Sequence, residues 1–134
     1  MGQFALDLAA FAAKAGANAE LVVRKVSIDI LGKVILRSPV LTGRFRANWV
    51  LSFGTPEISQ SDAVDKTGSM TIGRQSARLA GFKLGQAIYI MNSLPYGPRL
   101  EYEGWSKQAP AGMVRITVAE FQLLVAKAVG EVPK

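Results

Sequence analysis

Carboxylate side chains are the main candidates for chemistry in this chain, because its sequence contains no cysteine and no histidine. The absence of cysteine and histidine excludes a disulfide, a thiolate metal site, a cysteine nucleophile and the most common general base from the chain. Glu101 and Glu103 lie two residues apart, and a pair of carboxylates can hydrolyse a glycosidic bond. Glu57, Asp62 and Asp65 are close together in sequence, and their oxygens could bind a hard cation.

Neither group of carboxylates has the pattern that its chemistry requires. The segment from Asp62 to Asp65 lacks the ligand density and the glycine of a calcium loop, and aromatic residues follow Glu101 where a catalytic frame would stand. We expect these side chains to be solvated or ion-paired, and Glu101 to pair with an arginine of its own motif or of a neighbouring chain. The sequence therefore predicts no enzyme, no cofactor and no metal site. A hydrolase based on Glu101 and Glu103 stays a minor alternative.

Two segments combine proline, glycine, arginine and aromatic residues between strongly apolar elements. They are residues 38–49 (SPVLTGRFRANW) and residues 92–115 (NSLPYGPRLEYEGWSKQAPAGMVR). Proline presets φ and glycine permits positive φ, so segments of this composition specify a fixed backbone path. Arginine and aromatic residues are also enriched where protein interfaces are most tightly bound. The composition of the two segments favours assembly over catalysis.

The order and spacing of residues within these segments define two motifs. The first is Ser38-Pro39-Val40-x-Thr42-Gly43-Arg44-x-Arg46-x-x-Trp49. The second is Tyr89-Ile90-x-Asn92-x-x-Pro95-Tyr96-x-x-x-Leu100-Glu101-Tyr102, followed by Gly104-x-Ser106-Lys107-Gln108-Ala109-Pro110-x-Gly112-x-Val114-Arg115. Together they resemble the tail-completion family of long-tailed bacteriophages, also described as head–tail joining or neck proteins. The chain departs from that pattern at Leu41, where similar proteins carry aspartate, and in the Glu103–Gly104–Trp105 stretch.

The resemblance implies a structural virion protein that forms a ring at the phage head–tail junction and joins the tail to the capsid connector. Such a protein is made in the host cytoplasm and ends in the tail or neck of the virion. We expect a homo-oligomer, and a hexamer because phage tails and necks are six-fold. The expected partners are other phage neck and tail proteins, with non-specific contact to genomic DNA in the lumen and no contact with a membrane. Whether the ring is a terminator or a joining ring stays open.

The resemblance also indicates which residues meet other chains. The expected subunit or partner interface consists of Pro39, Thr42, Gly43, Arg44, Arg46, Asn92, Pro95, Tyr96, Glu101, Trp105, Lys107, Gln108 and Pro110. Residues of the polar segment that are expected to face the lumen or a neighbouring ring are Glu57, Asp62, Asp65 and Lys66. Arg44 and Arg46 are either solvated or bonded to carboxylates and carbonyls across a subunit boundary, where the planar guanidinium outperforms lysine.

The net charge of the chain leaves a second function open. With 16 basic and 10 acidic residues, the charge is +6, which is typical of a solvated surface or of contact with an acidic partner. The basic residues are scattered, without the spacing of a zinc finger or of an RNA-binding aromatic motif. A small basic nucleic-acid-binding or regulatory protein is therefore the alternative. No stretch is long enough to span a bilayer, and no basic region precedes the first apolar run, so we expect a cytosolic product.

The hydrophobic pattern predicts one α+β domain over residues 1–134. Its small, mainly antiparallel sheet is packed by a long helix in the N-terminal half and by a C-terminal amphipathic helix. A first helix is expected over residues 3–15 and the long helix from the Asn18 cap to about residue 37. The long helix carries a valine-rich stripe and a second stripe of Leu21, Ile28, Leu31 and Ile35. The second stripe belongs either to the core of this domain or to a neighbouring subunit.

The remaining elements follow from periodicity and from breaker residues. A strand is predicted over residues 46–53, a polar mobile loop over 55–70 and a helix over 74–84. The next strand, over residues 87–91, is apolar on both faces, which predicts a central or doubly covered strand. A last helix over residues 110–130 begins at a proline, which suits a first helical turn. Its single apolar face consists of Met113, Val114, Val118, Phe121, Leu124, Val125, Ala128 and Val129.

Overall fold

The computed structural model describes residues 18–103, 106–109 and 112–131. The helix expected over residues 3–15 lies outside the described residues, as do Trp105 and Pro110 of the expected interface. Within the described part, helices pack against a two-stranded antiparallel sheet. This arrangement confirms the predicted small α+β fold. None of the described helices combines the length and the apolar character that crossing a bilayer requires.

Helix α1, Ala19–Leu36, begins as its sequence predicts. The side-chain oxygen of Asn18 accepts a hydrogen bond from the backbone N–H of Leu21 at 3.2 Å. Glu20 lies in the first turn, where the helix dipole favours a negative charge. The helix ends ahead of Pro39, because the residue before a proline is pushed out of the helical region.

Both apolar stripes of α1 contribute to the core of this domain. The buried apolar residues of the helix are Val22, Val23, Val26, Leu31, Val34 and Ile35. Leu31 and Ile35 belong to the second stripe, so the C-terminal half of that stripe is covered by the chain's own elements. Leu21 and Ile28 are 39% and 38% exposed. The second stripe is therefore divided, and only its N-terminal half remains accessible to another molecule.

The sheet consists of β1, Trp49–Phe53, and β2, Ile88–Asn92, with Trp49 opposite Asn92 and Phe53 opposite Ile88. The prediction of a strand from residue 46 was wrong at its start, because Arg44–Ala47 forms a short helix, α2. The left-handed backbone of Gly43, with φ of 92°, allows the chain to enter that helix. Alternating apolar residues therefore extended the apparent strand period back into a helical turn.

Strand β2 is not a central strand, so of the two predicted alternatives only cover on both faces remains. Among the described residues its only partner is β1. Ile88 is buried, but the residues that follow it in the strand are only partly buried. Its apolar residues on both faces thus reflect partial cover by the helices and loops around it, and not a position between two other strands.

The polar segment ends earlier than predicted, because the Asp65 carboxylate accepts hydrogen bonds from the N–H groups at the start of the next helix. Helix α3 spans Ser69–Ala77 and continues as a 3-10 turn, Arg78–Gly81. One oxygen of Asp65 accepts hydrogen bonds from the backbone N–H and the hydroxyl of Thr71, both at 2.8 Å. The other accepts from the N–H of Gly68 at 3.1 Å. Burial raises the pKa of Asp65. The hydrogen bonds lower it by a larger amount, so the net pKa lies below its ordinary value.

The C-terminal part contains three helices, α4 (Gly97–Tyr102), α5 (Val114–Ala119) and α6 (Phe121–Glu131). The predicted continuous helix was wrong, since a turn at Glu120 separates α5 from α6. The predicted single apolar face was wrong as well. Val114 and Val118 of α5 are exposed, whereas Thr117 is buried and donates its hydroxyl proton to the carbonyl of Met113. This bond lets a polar residue occupy the inner face.

The long helix organises the packing of the other elements. Helix α1 contacts α3, α5, α6 and β1. Helix α6 covers it with Leu124, Val125 and Ala128, all of them buried. Glu120, in the turn between α5 and α6, forms ion pairs with Lys33 and Arg37 of α1. The C-terminal helices are thus fixed to α1 by apolar burial and by charge.

We expect Gly43→Ala to destabilise the domain. An added Cβ would lie 2.7 Å from the backbone nitrogen of Lys66 and 2.8 Å from backbone atoms of Asp65. The left-handed φ alone costs about 1–3 kcal/mol for a residue other than glycine. Urea unfolding of both proteins measures the loss. The matched control is Gly32→Ala in α1, which has open space around it and should gain up to about 1 kcal/mol. Equal stability of the two variants would contradict this account of Gly43.

Candidate binding groove

The two sequence motifs meet at one groove on the surface. Residues 39–45, from the first motif, form one wall, and Tyr96, Leu100 and residues 106–108, from the second, form the other. The groove has a volume of about 520 Å³, within the usual range of binding pockets. Segments more than 50 residues apart in the chain, such as Thr42 and Tyr96, are thereby brought to one site.

Arg46 fixes the backbone from which the first wall starts. Its Nη2 donates a hydrogen bond to the carbonyl of Leu36 at 2.9 Å, and its Nε donates to the carbonyl of Ser38 at 3.0 Å. Its Nη1 donates to the carbonyl of Lys66 at 2.9 Å. One guanidinium thus joins the end of α1, the start of the wall and the end of the polar loop, which requires the planar fork of arginine.

The polar loop is held behind the first wall. Arg44 donates from Nε to the carbonyl of Ser61 at 3.0 Å and lies 3.5 Å from the carboxylate of Asp62. Asn48 donates to the Ser61 carbonyl at 2.9 Å and accepts from the Ser61 N–H at 2.8 Å. The carbonyl groups that Arg44 and Arg46 bind therefore belong to their own chain. Mobility of residues 55–70 stays a prediction, and these bonds act against it near Ser61.

Glu101 fixes the second wall from behind. Its carboxylate is buried, with the residue only 7% exposed, and accepts hydrogen bonds from the backbone N–H groups of Met113, Val114 and Arg115 at 2.9, 2.8 and 3.1 Å. The Nε of Arg115 donates to it at 3.1 Å. Arg115 is thus the arginine with which Glu101 pairs. Burial raises the pKa of Glu101, but the hydrogen bonds lower it more, so its net pKa lies below the ordinary value.

Gly112 permits the close approach of Glu101 to the start of α5. Its φ is 87°, and an added Cβ would lie 2.6 Å from the backbone carbonyl oxygen of Glu101. Only a residue without a side chain fits this backbone path. The carboxylate of Glu101 then occupies the position of a helix cap, where the orphan N–H groups and the helix dipole favour an anion.

Gln108 joins the two walls through its side-chain amide. Its Nε2 donates to the carbonyl of Val40 at 3.0 Å, and its Oε1 accepts from the N–H of the same residue at 2.9 Å. The amide therefore pairs with the backbone as a neighbouring strand would. These two hydrogen bonds satisfy both backbone polar groups of Val40 and fix the distance between the walls.

Aromatic rings form the floor of the groove. Phe45 packs against Tyr96 with ring centroids 5.7 Å apart, and against Trp49 edge-to-face at 5.9 Å. The indole N–H of Trp49 donates to the hydroxyl of Ser38 at 2.8 Å. Sequence reasoning did not select Phe45 as a site residue. Its place between Arg44 and Arg46 was the available signal.

The structure places ten of the eleven described interface residues in two groups. Those that line the groove are Pro39, Thr42, Gly43, Arg44, Tyr96, Lys107 and Gln108. Arg46, Glu101 and Asn92 stabilise it from behind, the last by donating to the carbonyl of Phe45 at 2.8 Å. Pro95 is exposed and does not line the groove.

The carboxylates that the sequence offered for chemistry have cationic or hydrogen-bonding partners in the described part of the chain. Glu57 forms an ion pair with Arg78 at 3.1 Å, and Glu103 lies 4.0 Å from Arg99. Glu101 has a lowered pKa, which is the opposite of what a general acid needs at neutral pH. Among the described residues no three His, Cys, Asp or Glu side chains are placed to hold a metal ion. Lys66 is exposed, and its carbonyl is the acceptor for Arg46.

Comparison of the chain with protein-family models, with curated proteins and with solved structures finds no match. The function is therefore inferred from the geometry of the groove and from the resemblance carried by the two motifs. The groove combines an aromatic floor, fixed walls and a cationic rim, a combination typical of sites that bind another chain.

We expect Glu101→Gln to destabilise the domain by about 1.5–3 kcal/mol at neutral pH, the contribution of hydrogen bonds to a charged group. The folded state lowers the pKa of Glu101. Its stabilisation is therefore complete above the ordinary glutamate pKa of about 4.3 and is lost as the pH falls through the lowered value. Urea unfolding across this pH range should show the difference between wild type and variant shrinking as the solution becomes more acidic.

The control for this prediction is Glu103→Gln, which removes an exposed carboxylate whose ion pair with Arg99 is long. We expect it to change stability by less than about 0.5 kcal/mol at every pH. A pH-independent loss in Glu101→Gln would contradict the assignment of its effect to the charged cap. Such a result would assign the effect to the packing of the side chain.

Proposed function

We propose that this chain is a structural virion protein of a tailed bacteriophage, which forms a ring at the head–tail junction and joins the tail to the capsid connector. The observation that carries the proposal is the convergence of the two motifs on one groove. These are the same motifs whose residues resemble the tail-completion family. The partly exposed Arg46 and the buried Glu101 bind backbone groups and shape a surface. This use of charge suits a protein that works by docking.

The proposed ring is a hexamer closed by heterologous contacts, in which the groove of one subunit receives a different patch of the next subunit or of a neighbouring ring. Leu41 is 90% exposed beside the groove, and an exposed leucine on an apolar groove is typical of a contact site. Leu21 and Ile28 of α1 offer a second accessible apolar surface. A groove and a separate apolar surface on one chain suit a head-to-tail arrangement.

The proposed partners are other neck and tail proteins, and the place of action is the virion neck. The net charge of +6 suits non-specific contact with the genome as it passes through the lumen, since such contact needs only a positive field. The proposed ring needs no catalytic group. The carboxylate of Glu101 accordingly has a structural role, as a cap at the start of α5.

Deletion of the coding sequence from the phage genome that carries it tests the proposal. We expect DNA-filled heads and separate tails in negatively stained lysates, together with loss of infectious particles. Supplying the wild-type chain from a plasmid should restore joined particles. The physical reason is that the junction lacks the ring through which the two parts bind.

Joined and infectious particles in the absence of the chain would overturn this function. A lysate without DNA-filled heads and without free tails would also overturn it, because the defect would then lie in DNA packaging or capsid assembly. The Gly32→Ala variant, which changes a position with open space around it inside α1, should complement as wild type does.

A further inference from the structure

A second, smaller groove continues the first. It has a volume of about 220 Å³ and shares Gln108 with the larger groove. Its lining includes the apolar residues Leu36 and Ile116 and two arginines. The Val40–Gln108 double hydrogen bond stands at the junction between them. The two grooves together thus form one elongated surface, in which apolar side chains are available on both sides of a fixed polar bridge.

The charges along this surface have one sign. The charged residues that line the larger groove are Arg44 and Lys107, and those that line the smaller one are Arg37 and Arg46. None of the described residues that line either groove is an aspartate or a glutamate. The charged side chains that a ligand meets among the described residues of this surface are therefore all positive, and its own charge should be negative.

The four cations differ in how much of their charge is already used. Arg37 pairs with Glu120, and Arg46 is bonded to backbone carbonyls. Arg44 is held by one carbonyl and by the fully exposed Asp62 at 3.5 Å. Within the described part of the chain, the exposed Lys107 makes no hydrogen bond and no ion pair. Lys107 is therefore the cation that is most available to a ligand.

We propose that the two grooves receive one extended segment of a partner protein, in which apolar side chains are flanked by carboxylates. The apolar side chains would contact Leu41 in the larger groove and Leu36 and Ile116 in the smaller one, all of them exposed. The carboxylates would meet Lys107 and Arg44 at the rim. Binding of this kind takes specificity from pockets for side chains and orientation from charge. The inference rests on the proposed function, because a joining ring must hold a segment of a neck or tail protein.

The surface suits a peptide better than a nucleic acid. Phe45 is 5% exposed and Trp49 is 3% exposed, so their ring faces are already covered, whereas single-stranded nucleic acids bind by stacking bases on open rings. Affinity for nucleic acid also grows with the number of phosphates neutralised, and of the four cations that line the grooves only Lys107 has no partner among the described residues. A segment with carboxylates and apolar side chains would instead use the exposed aliphatic side chains of the grooves and the charge of Lys107.

The test is a titration of the full-length, nitrogen-15-labelled chain with synthetic peptides, followed by amide chemical shifts. The probe is a short peptide in which leucine and phenylalanine are flanked by glutamates. One comparison peptide has lysine in place of glutamate, and another has serine in place of the apolar residues. We expect the acidic apolar peptide to bind most tightly and to shift the signals of residues 39–45 and 106–108.

Two substitutions of exposed residues separate the apolar from the electrostatic contribution. Leu41→Ser should weaken the acidic apolar peptide by about tenfold or more, the effect of losing one buried aliphatic contact. Lys107→Glu should weaken it by at least about twofold, and less so at high salt. The matched controls are Leu123→Ser and Lys83→Glu, whose side chains are exposed outside both grooves. The control variants should bind as the wild type does.

Three outcomes would overturn the inference. They are equal binding of the basic peptide, shifts that lie outside the two grooves, and tighter binding of an oligothymidine than of the acidic peptide at the same site. Its failure is distinguishable from failure of the proposed function. A chain that is needed for joining but binds no acidic peptide refutes the inference alone, whereas a chain that binds the peptide but is dispensable for joining refutes the function alone.

Discussion

The guanidinium of Arg46 joins three parts of the chain at one point. It binds the last carbonyl of α1 at Leu36, the carbonyl of Ser38 and the carbonyl of Lys66. The direction in which the chain leaves α1, the place of the polar loop and the position of residues 39–45 are therefore linked through one side chain. A positive charge at the carbonyl end of a helix is favourable, and a planar fork can satisfy several acceptors at once. The groove follows from this arrangement, because its first wall is the backbone that Arg46 fixes.

A buried carboxylate fixes the backbone of the second motif, as Arg46 fixes that of the first. Glu101 gathers the N–H groups at the start of α5, and Gly112 leaves the space that this contact needs. Asp65 plays the same part for α3. The domain thus uses charged side chains to end and begin its helices, so that its connecting segments keep a defined shape with little regular secondary structure. Such segments can present a rigid surface to another molecule, since the cost of ordering them is met during folding and not during binding.

Sequence patterns predicted those parts of the fold that depend on local interactions. The cap at Asn18 and the α+β class are examples, since a side chain bonded to its own helix and a periodic apolar face need no distant partner. The start of β1 was missed because the residues of α2 alternate as a strand would. The break at Glu120 was missed because the local apolar pattern runs through it; Glu120 there contacts Lys33 and Arg37 of α1, which are distant in the sequence. The motifs identified the groove residues as a set, but the Val40–Gln108 bond and the floor at Phe45 arise only from packing between distant segments.

The central claim is that the convergent motifs form a docking surface in a ring at the head–tail junction. A cryo-electron microscopy reconstruction of the neck in purified particles tests it most directly. The account predicts six copies of the chain in a ring between portal and tail, with residues 39–45 and Lys107 covered by a segment of a neighbouring protein. Absence of the chain from the neck would contradict the account, as would a ring in which the groove faces open solvent.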